Sequence, residues 1–414
     1  KKGGEFYTPR EVVKLMVRIL KPQEGMRAYD PCSGSGGMLV EFRKSVEEHG
    51  GDPRNVALFG QENNGGVWAI SKMNMILHEV PDADIRNGDT LAEPLHTEQG
   101  QLMRFDRVIS NPPFSQNYTY QGEDEGGETI VVIPHEERFR FGWCPESGKK
   151  ADLMFVQHML AVMSEEGMVA TVMPHGVLFR GGAEKKIREG MINDDLLEAV
   201  IGLPSNLFYG TGIPACILVF RANKPAERQD KVLFINADAE FYSGRAQNYL
   251  LPEHIEKIVT TFEEFVDVRG YATVVDNSTL RDEENDCNLN IRRYADNSPP
   301  PKPHDVRAHL VGGIPKAEVE AHTYLFTSHG FDTASIFVDR DELYYNFHPD
   351  VQSKSSIKSI VEGHEGVQAQ EARVREALES WWSEHQQAIV ELPNTGKVME
   401  TRASLLNNFN AAME

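Results

Sequence analysis

Apolar positions along this chain alternate between two periods. Val12, Val13, Met16, Ile19 and Leu20 recur at helical spacing. Thr8-Pro9-Arg10-Glu11, just before them, predicts a helix start at about Pro9, with Thr8 as cap, Pro9 at the first position and Glu11 closing a capping box. Short apolar runs then alternate with helical stretches. Strands are predicted over Met26–Asp30, Val56–Glu62, Ala83–Asp89, Asp106–Ser110, Met168–Met173, Leu197–Ile201 and Ala215–Phe220. Helices are predicted over Met38–Glu48, Val67–Glu79, Asp152–Ser164 and Glu184–Ile192. This alternation predicts a mostly parallel, seven-stranded sheet with helices on both faces. Ligands of such sheets bind outside the carboxyl ends of the strands. Asp30, Glu62, Asp89 and Asn111 all fall there.

Residues 115–150 form a connection rich in Gly, Glu and Arg with no period, and loops of that length are commonly functional or disordered. Pro299-Pro300-Pro301-Lys302-Pro303 predicts a boundary. The reading is therefore a catalytic domain over 1–294 and a partly helical C-terminal extension over 295–414. In the extension, Glu365–Val390 has helical character and carries Trp381 and Trp382. Those tryptophans have two open roles, core packing or subunit docking.

Composition changes this picture in three places. A hydrophobic content of 40% and a charged content of 25% are those of a soluble globular protein. No run of about 18 apolar residues predicts a membrane helix, and no secretory signal opens the chain at Lys1. Cys32, Cys144, Cys216 and Cys287 are scattered, with no C-x-x-C pair, so neither a zinc site nor a disulfide framework is indicated, and a cytoplasmic protein is expected. The net charge is −21, which argues against a chain that grips DNA unaided. The basic residues Arg138, Arg140, Lys149, Lys150, Arg180, Lys185, Lys186 and Arg188 flank the predicted ligand edge. They read either as a groove for DNA or as a solvated surface.

Asp30-Pro31-Cys32-Ser33-Gly34-Ser35-Gly36-Gly37 follows a strand and opens a helix. Its glycines permit close backbone approach to a ligand, and a helix N-terminus favours an anionic group. Taken alone it is equally a tight turn, and it lacks the lysine of a nucleoside triphosphate site. Glu62 is placed to accept hydrogen bonds from ribose hydroxyls, or stands as a solvated loop acid. Asp89 either accepts from an adenine amino group or caps the turn that follows it. Asn111-Pro112-Pro113-Phe114 is the most informative run. The exocyclic nitrogen of adenine has its lone pair delocalised into the ring. The Asn111 side-chain oxygen and the Pro112 carbonyl can each accept one of its N–H groups, which favours a tetrahedral nitrogen. Phe114 can stack on the base, and Pro112 and Pro113 keep the acceptors aimed.

As a set, Asp30–Gly37, Glu62, Asp89 and Asn111–Phe114 resemble the motifs of amino-group DNA methyltransferases, and Phe6-Tyr7-Thr8-Pro9 resembles the upstream motif of the gamma order of that class. Gly4–Val12, Ala151–Leu160, Pro174–Phe179 and Leu203–Pro214 narrow the resemblance to the modification subunit of type I restriction–modification systems, over about residues 3–294. That resemblance implies a Rossmann-like fold, S-adenosylmethionine as methyl donor, and the N6 amino group of an adenine flipped out of duplex DNA as acceptor. It implies as partners a DNA-specificity subunit, a second methylase subunit and, in some systems, a restriction subunit. Glu5, Phe6, Tyr7, Thr8, Pro9, Arg10, Asp30, Ser33, Gly34, Ser35, Gly36, Gly37, Glu62 and Asp89 would contact the cofactor, and Asn111, Pro112, Pro113 and Phe114 would act on the base. The family's helical N-terminal domain has no counterpart before Gly4. Methylation of an amino group in RNA or protein, or an inactive scaffold, are the competing readings.

Overall fold

In the computed structural model, residues 8–118, 121–123, 129–131, 133–148, 150–208, 212, 214–298 and 305–413 are described. The chain divides into two compact units, Lys1–Ser298 and Pro299–Glu414.

The first unit is built on one nine-stranded sheet. Its strands are β1 (Arg27–Asp30), β2 (Ala57–Glu62), β3 (Asp84–Asn87), β4 (Phe105–Ser110), β5 (Met163–Pro174), β6 (Leu197–Gly202), β7 (Ala215–Arg221), β8 (Lys231–Asn236) and β9 (Ala272–Asp276). They lie in the order β3-β2-β1-β4-β5-β7-β6-β8-β9. The expected seven strands are present, but β8 and β9 extend the sheet beyond them. Val232–Ile235 is a bare apolar run, and periodicity cannot separate such a run from any other buried segment. Neighbours from β3 to β5 run parallel, as do β6 and β8; β7 runs antiparallel to both β5 and β6, and β9 to β8. Because β5 and β6 are joined through a helix, a slot is left between them, and the returning β7 fills it.

Alternate side chains of each strand feed two cores. Ile109, Ala170, Val172, Ile201, Ile217 and Val219 face one side, with Leu15 and Met16 of α1 (Arg10–Leu20), Leu39 and Phe42 of α2 (Gly37–Glu48) and Phe262 of α6 (Pro252–Glu264). Val108, Val169, Val200, Leu218 and Phe234 face the other, with Leu153 and Val156 of α4 (Asp152–Ala161) and Ile187 of α5 (Ala183–Asn193). Helix α3 (Gly65–Leu77) follows β2. Parallel strands buried on both faces need apolar residues at every position, which is why they read as unbroken runs.

The register sets where the strands end. Asp30 pairs with Gly60, Tyr29 with Val108, Ser110 with Thr171, Pro174 with Ala215, and Gly202 with both Cys216 and Asn236. The carboxyl ends of β1, β2, β4, β5, β6 and β8 therefore open on one edge. Asp89, expected at a strand end, lies two residues past β3 in the following turn.

Within Pro299–Glu414, short strands Ile314–Pro315, Tyr344–Phe347 and Phe337–Asp339 form a small sheet. Helix α7 (Glu365–Val390) packs on α8 (Val398–Met413), with Trp381 edge-on to Phe409 at 5.1 Å. Trp381 thus has a packing role, whereas Trp382 is half exposed. No described helix is long and apolar enough to cross a membrane.

Ile217 sits fully buried at the middle of β7. Ile217→Ala should cost about 2–5 kcal/mol, read as a lower urea midpoint with an unchanged slope. A loss under about 0.5 kcal/mol would contradict the placing of β7 at the centre of the sheet.

Candidate active site

At the end of β1 the chain turns through Pro31–Gly36 into α2. Gly34 (φ +52°) and Gly36 (φ +80°) take left-handed conformations that suit glycine. A Cβ on Gly36 would lie 2.2 Å from Met75 Cε and 2.8 Å from Ser71 Oγ, so α3 closes directly over the turn. Gly36 caps α2 and Gly37 is its first residue. From the end of β2, Glu62 braces the turn: Oε2 accepts from the Gly34 amide at 3.0 Å and Oε1 from the Asn64 amide at 2.8 Å. Asn74 donates to the Ser35 carbonyl. Ser33 Oγ is buried with no hydrogen-bond partner.

Asp30 is itself buried. Its Oδ1 accepts from the Cys32 amide (3.0 Å) and from Ser110 Oγ (2.8 Å). Burial pushes the carboxyl up to about 7 against the opposing pull of those two hydrogen bonds. Asp30 therefore acts inside the protein, tying the glycine turn to the last residue of β4.

Asn111 follows directly. Its Nδ2 donates to Thr8 Oγ1 at 2.8 Å, and its Oδ1 is buried and unpaired. Thr8 was expected to cap α1. Instead Pro9 occupies the cap position, no side chain caps the helix, and the Thr8 hydroxyl reaches across to Asn111. Beyond Pro112-Pro113, the loop is pinned to the start of α4. The Ser115 amide donates to buried Asp152 at 2.8 Å, and the Ala151 amide to the Gln116 carbonyl at 3.0 Å. Phe114 is 6% exposed and lies edge-on to Phe208 at 6.2 Å, so its faces are not open to a base in this conformation.

The structure thus brings Thr8 to Asn111, Asp30 to Ser110 and Glu62 to Gly34. It leaves others apart. Asp89 is exposed, and its Oδ1 accepts from the Leu91 and Ala92 amides, as a turn-capping acid does. Arg10 lies 3.9 Å from Glu41 of α2. Glu5, Phe6 and Tyr7 lie outside the described residues, as does Lys149.

Much of the expected basic groove is engaged within the protein, and two of its arginines are buried. Arg138 is 2% exposed and spends all five of its N–H donors on protein acceptors, namely the carbonyls of Thr90, Leu91, Pro134 and His135, and His158 Nδ1. Burial, with the Arg138 charge beside it, holds His158 well below its ordinary range, so the imidazole is neutral and Nδ1 accepts. Arg188 donates to the carbonyls of Cys287, Val177 and Arg180. Lys150 and Arg180 both pair with buried Glu184, Lys185 with Asp286, and Arg140 with Asp194. Among the seven of these that are described, Lys186 is exposed without an ion pair. Charge alone did not reveal this. Buried arginines are identified by the carbonyls around them, which come from distant segments.

The profile of the N-6 DNA Methylase family matches residues 1–301. The chain is 39% identical over 299 residues to the type I restriction enzyme MjaVII methylase subunit of Methanocaldococcus jannaschii, covering 71% of this chain and 49% of that protein. It is 32% identical over 315 residues to the MpnII methylase subunit of Mycoplasma pneumoniae, covering 74% of this chain and 56% of that one. The chain therefore spans about half the length of the curated relatives it matches. Among solved structures, the type I restriction–modification methyltransferase subunit of Streptococcus thermophilus superposes with a TM-score of 0.63 at 36% identity, over 72% of this chain and 60% of that one.

The raised carboxyl of Asp30 predicts a pH dependence. Unfolded, it ionises near its ordinary 3.8; folded, near 7. Between those values the folded state keeps a proton that the unfolded state has released. Its contribution to stability is therefore full below about pH 4 and is lost as pH rises to about 7. Asp30→Asn keeps an acceptor for Ser110 and Cys32 but cannot ionise. Its stability relative to wild type should grow across that window by on the order of 2–4 kcal/mol, followed by urea denaturation from about pH 4.5 to 8. Parallel pH curves for the two proteins would remove the assignment.

Proposed function

This chain belongs to the N-6 DNA methylase family, and from that premise we propose that it transfers a methyl group from S-adenosylmethionine to the N6 amino group of adenine in DNA, as the methylase subunit of a type I restriction–modification assembly. One observation carries the reading: Asn111 Oδ1 is buried and lacks a donor, while Thr8 holds the other end of the amide. An unmade hydrogen bond on a buried oxygen costs about 1–3 kcal/mol, and an incoming amino group would relieve it.

Residues of the first unit fit the cofactor. The glycine turn would hold it over Ser33–Gly37, where Gly36 leaves room for no side chain and the buried Ser33 hydroxyl lacks a partner. Glu62 would accept the ribose hydroxyls, since each carboxylate oxygen already takes one backbone N–H and has capacity for another. Asp89 would offer Oδ2 to the adenine amino group. Residues Glu5–Arg10 would contact the cofactor, with Thr8 aligning Asn111. S-adenosylmethionine, when bound, supplies an electrophilic methyl group on its sulfonium.

Asn111 Oδ1 accepts one N–H of the target amino group and the Pro112 carbonyl the other, so the nitrogen lone pair is freed from the ring. The bound donor would supply the methyl group, its sulfur keeping the electron pair of the broken carbon–sulfur bond, and the surplus proton would pass from the nitrogen to water. Phe114 would exchange its contact with Phe208 for the extruded base. The family's description as an N-6 DNA methylase supports DNA over RNA or protein as acceptor. Residues 1–294 would form the catalytic domain and 295–414 a docking extension for the specificity and second methylase subunits, with a restriction subunit in some assemblies, in the cytoplasm.

Asn111→Ala should reduce methyl transfer below detection while sparing cofactor affinity. Glu62→Ala should weaken S-adenosylmethionine binding by about 1–3 kcal/mol in calorimetry. Near-normal methylation by the first variant, or unchanged affinity in the second, would refute the corresponding role. The isolated chain should not methylate specific sites at physiological salt, because its net charge is −21 and most of its edge cations are engaged internally. Radiolabelled methyl transfer to DNA, with and without the specificity subunit, checks this. Sequence-specific methylation by the chain alone would overturn the division of labour.

A further inference from the structure

Beyond β8 the chain forms a small hairpin that the proposed chemistry does not use. Tyr242-Ser243 pairs antiparallel with Asn248-Tyr249, and Tyr242 stands directly opposite Tyr249. Directly opposed residues of an antiparallel pair project on the same face. Both tyrosines are exposed, at 58% and 38%. A Cβ on Gly244 would lie 2.5 Å from Tyr249 Cε2, so the ring lies over the glycine.

The hairpin's position follows from the sheet register. Gly202 pairs with Asn236, so β8 ends level with β6, on the edge from which Asn111 leaves β4. The Asn248 amide donates to the Asn206 carbonyl and its side chain to the Ser205 carbonyl, each at 2.9 Å. Two residues on, Phe208 meets Phe114. A continuous path therefore runs from the acceptor motif to the hairpin.

Charge sets the hairpin apart from its surroundings. Residues 241–251 contain one cation, Arg245, and no acid, in a chain of net charge −21. The preceding acids are neutralised, Asp238 by Arg292 and Glu240 by Lys257. Arg245 is exposed, and no ion pair is recorded for it among the described residues. Exposed tyrosine hydroxyls and a free guanidinium beside a base-acting site match the chemistry of a phosphodiester backbone, which takes hydrogen bonds from Arg and Tyr.

We propose that the hairpin Tyr242–Tyr249 grips the sugar-phosphate backbone of the DNA beside the extruded adenine, Arg245 neutralising one phosphate and Tyr242 and Tyr249 contacting the adjoining backbone. This rests on the DNA methyltransferase reading. It positions the duplex and reads no bases.

The test uses the full chain in its assembly with the specificity subunit. Binding is followed by anisotropy on a labelled mixed-sequence duplex across a salt series. Methyl transfer is followed on bacterial genomic DNA lacking adenine methylation. Arg245→Gln should lower the magnitude of the slope of log affinity against log salt by about 0.9 and raise the KM for DNA about tenfold, with kcat and S-adenosylmethionine affinity kept. Arg245→Lys should restore the slope. Tyr242→Ala combined with Tyr249→Ala should raise the KM with the slope unchanged. Arg54→Gln makes the same charge change just before β2, on the opposite edge, and should alter neither quantity.

An unchanged slope in Arg245→Gln, an equal effect of Arg54→Gln, or loss of the specificity subunit with DNA affinity intact would each overturn the proposal. The last result would assign the hairpin to a protein interface. If the wild-type assembly binds the duplex but transfers no methyl group to DNA, the methyltransferase reading fails, while the hairpin is still judged by the slope.

Discussion

The hydrogen bond from Ser110 Oγ to Asp30 Oδ1 joins the two halves of the site. The recorded pairing of β1 with β4 covers Ala28 with Arg107 and Tyr29 with Val108. Beyond it, two strand ends diverge into different loops, one the glycine turn and the other the Asn-Pro-Pro-Phe run. A buried side-chain bond at that point sets how far apart the loops begin. On the proposed reading, that fixed separation would hold cofactor and acceptor in orientation beforehand, which lowers the barrier. The arrangement costs the protein a buried carboxyl whose ionisation is pushed up to about 7. That cost is borne at the joint between the two loops of the candidate site.

From that joint the remaining contacts spread outward. Glu62 fixes the glycine turn from β2, Thr8 fixes the amide of Asn111 from the segment before α1, and Asp152 fixes Ser115 from α4. Three segments distant in sequence thus orient the two loops. Arg138 adds a link from the long connection after β4 to the Asp89 turn, through the Thr90 and Leu91 carbonyls. A guanidinium suits this place, since its fork offers five donors where an ammonium offers three.

Much of the fold was legible in the chain. All seven predicted strands exist, and α7 spans the stretch whose period predicts it. The errors have physical causes. β8 and β9 lack a flanking motif, and strands of six and five residues with apolar runs of four or fewer are short enough to be mistaken for loop packing. The sequence order of strands did not reveal that β7 would lie between β5 and β6, because that depends on the slot left by the crossover. In the site, the Asp89 turn and the glycine turn were legible as local chemistry. The partners of Thr8, Asp30 and Arg138 were not.

By itself the sequence determined what is local: the period of each element, the glycines that turn after β1, the rigid Pro112-Pro113 and the acidic total. Each depends on neighbours within a few residues, so it can be read in one pass. Only the tertiary structure decided which polar groups would meet. Thr8 and Asn111 are 103 residues apart, Asp30 and Ser110 are 80, and Arg138 and Thr90 are 48. A threonine before a proline caps a helix when nothing better is within reach. Here the folded sheet edge presents an asparagine amide, and a hydrogen bond out of water to that fixed partner takes precedence over the local one.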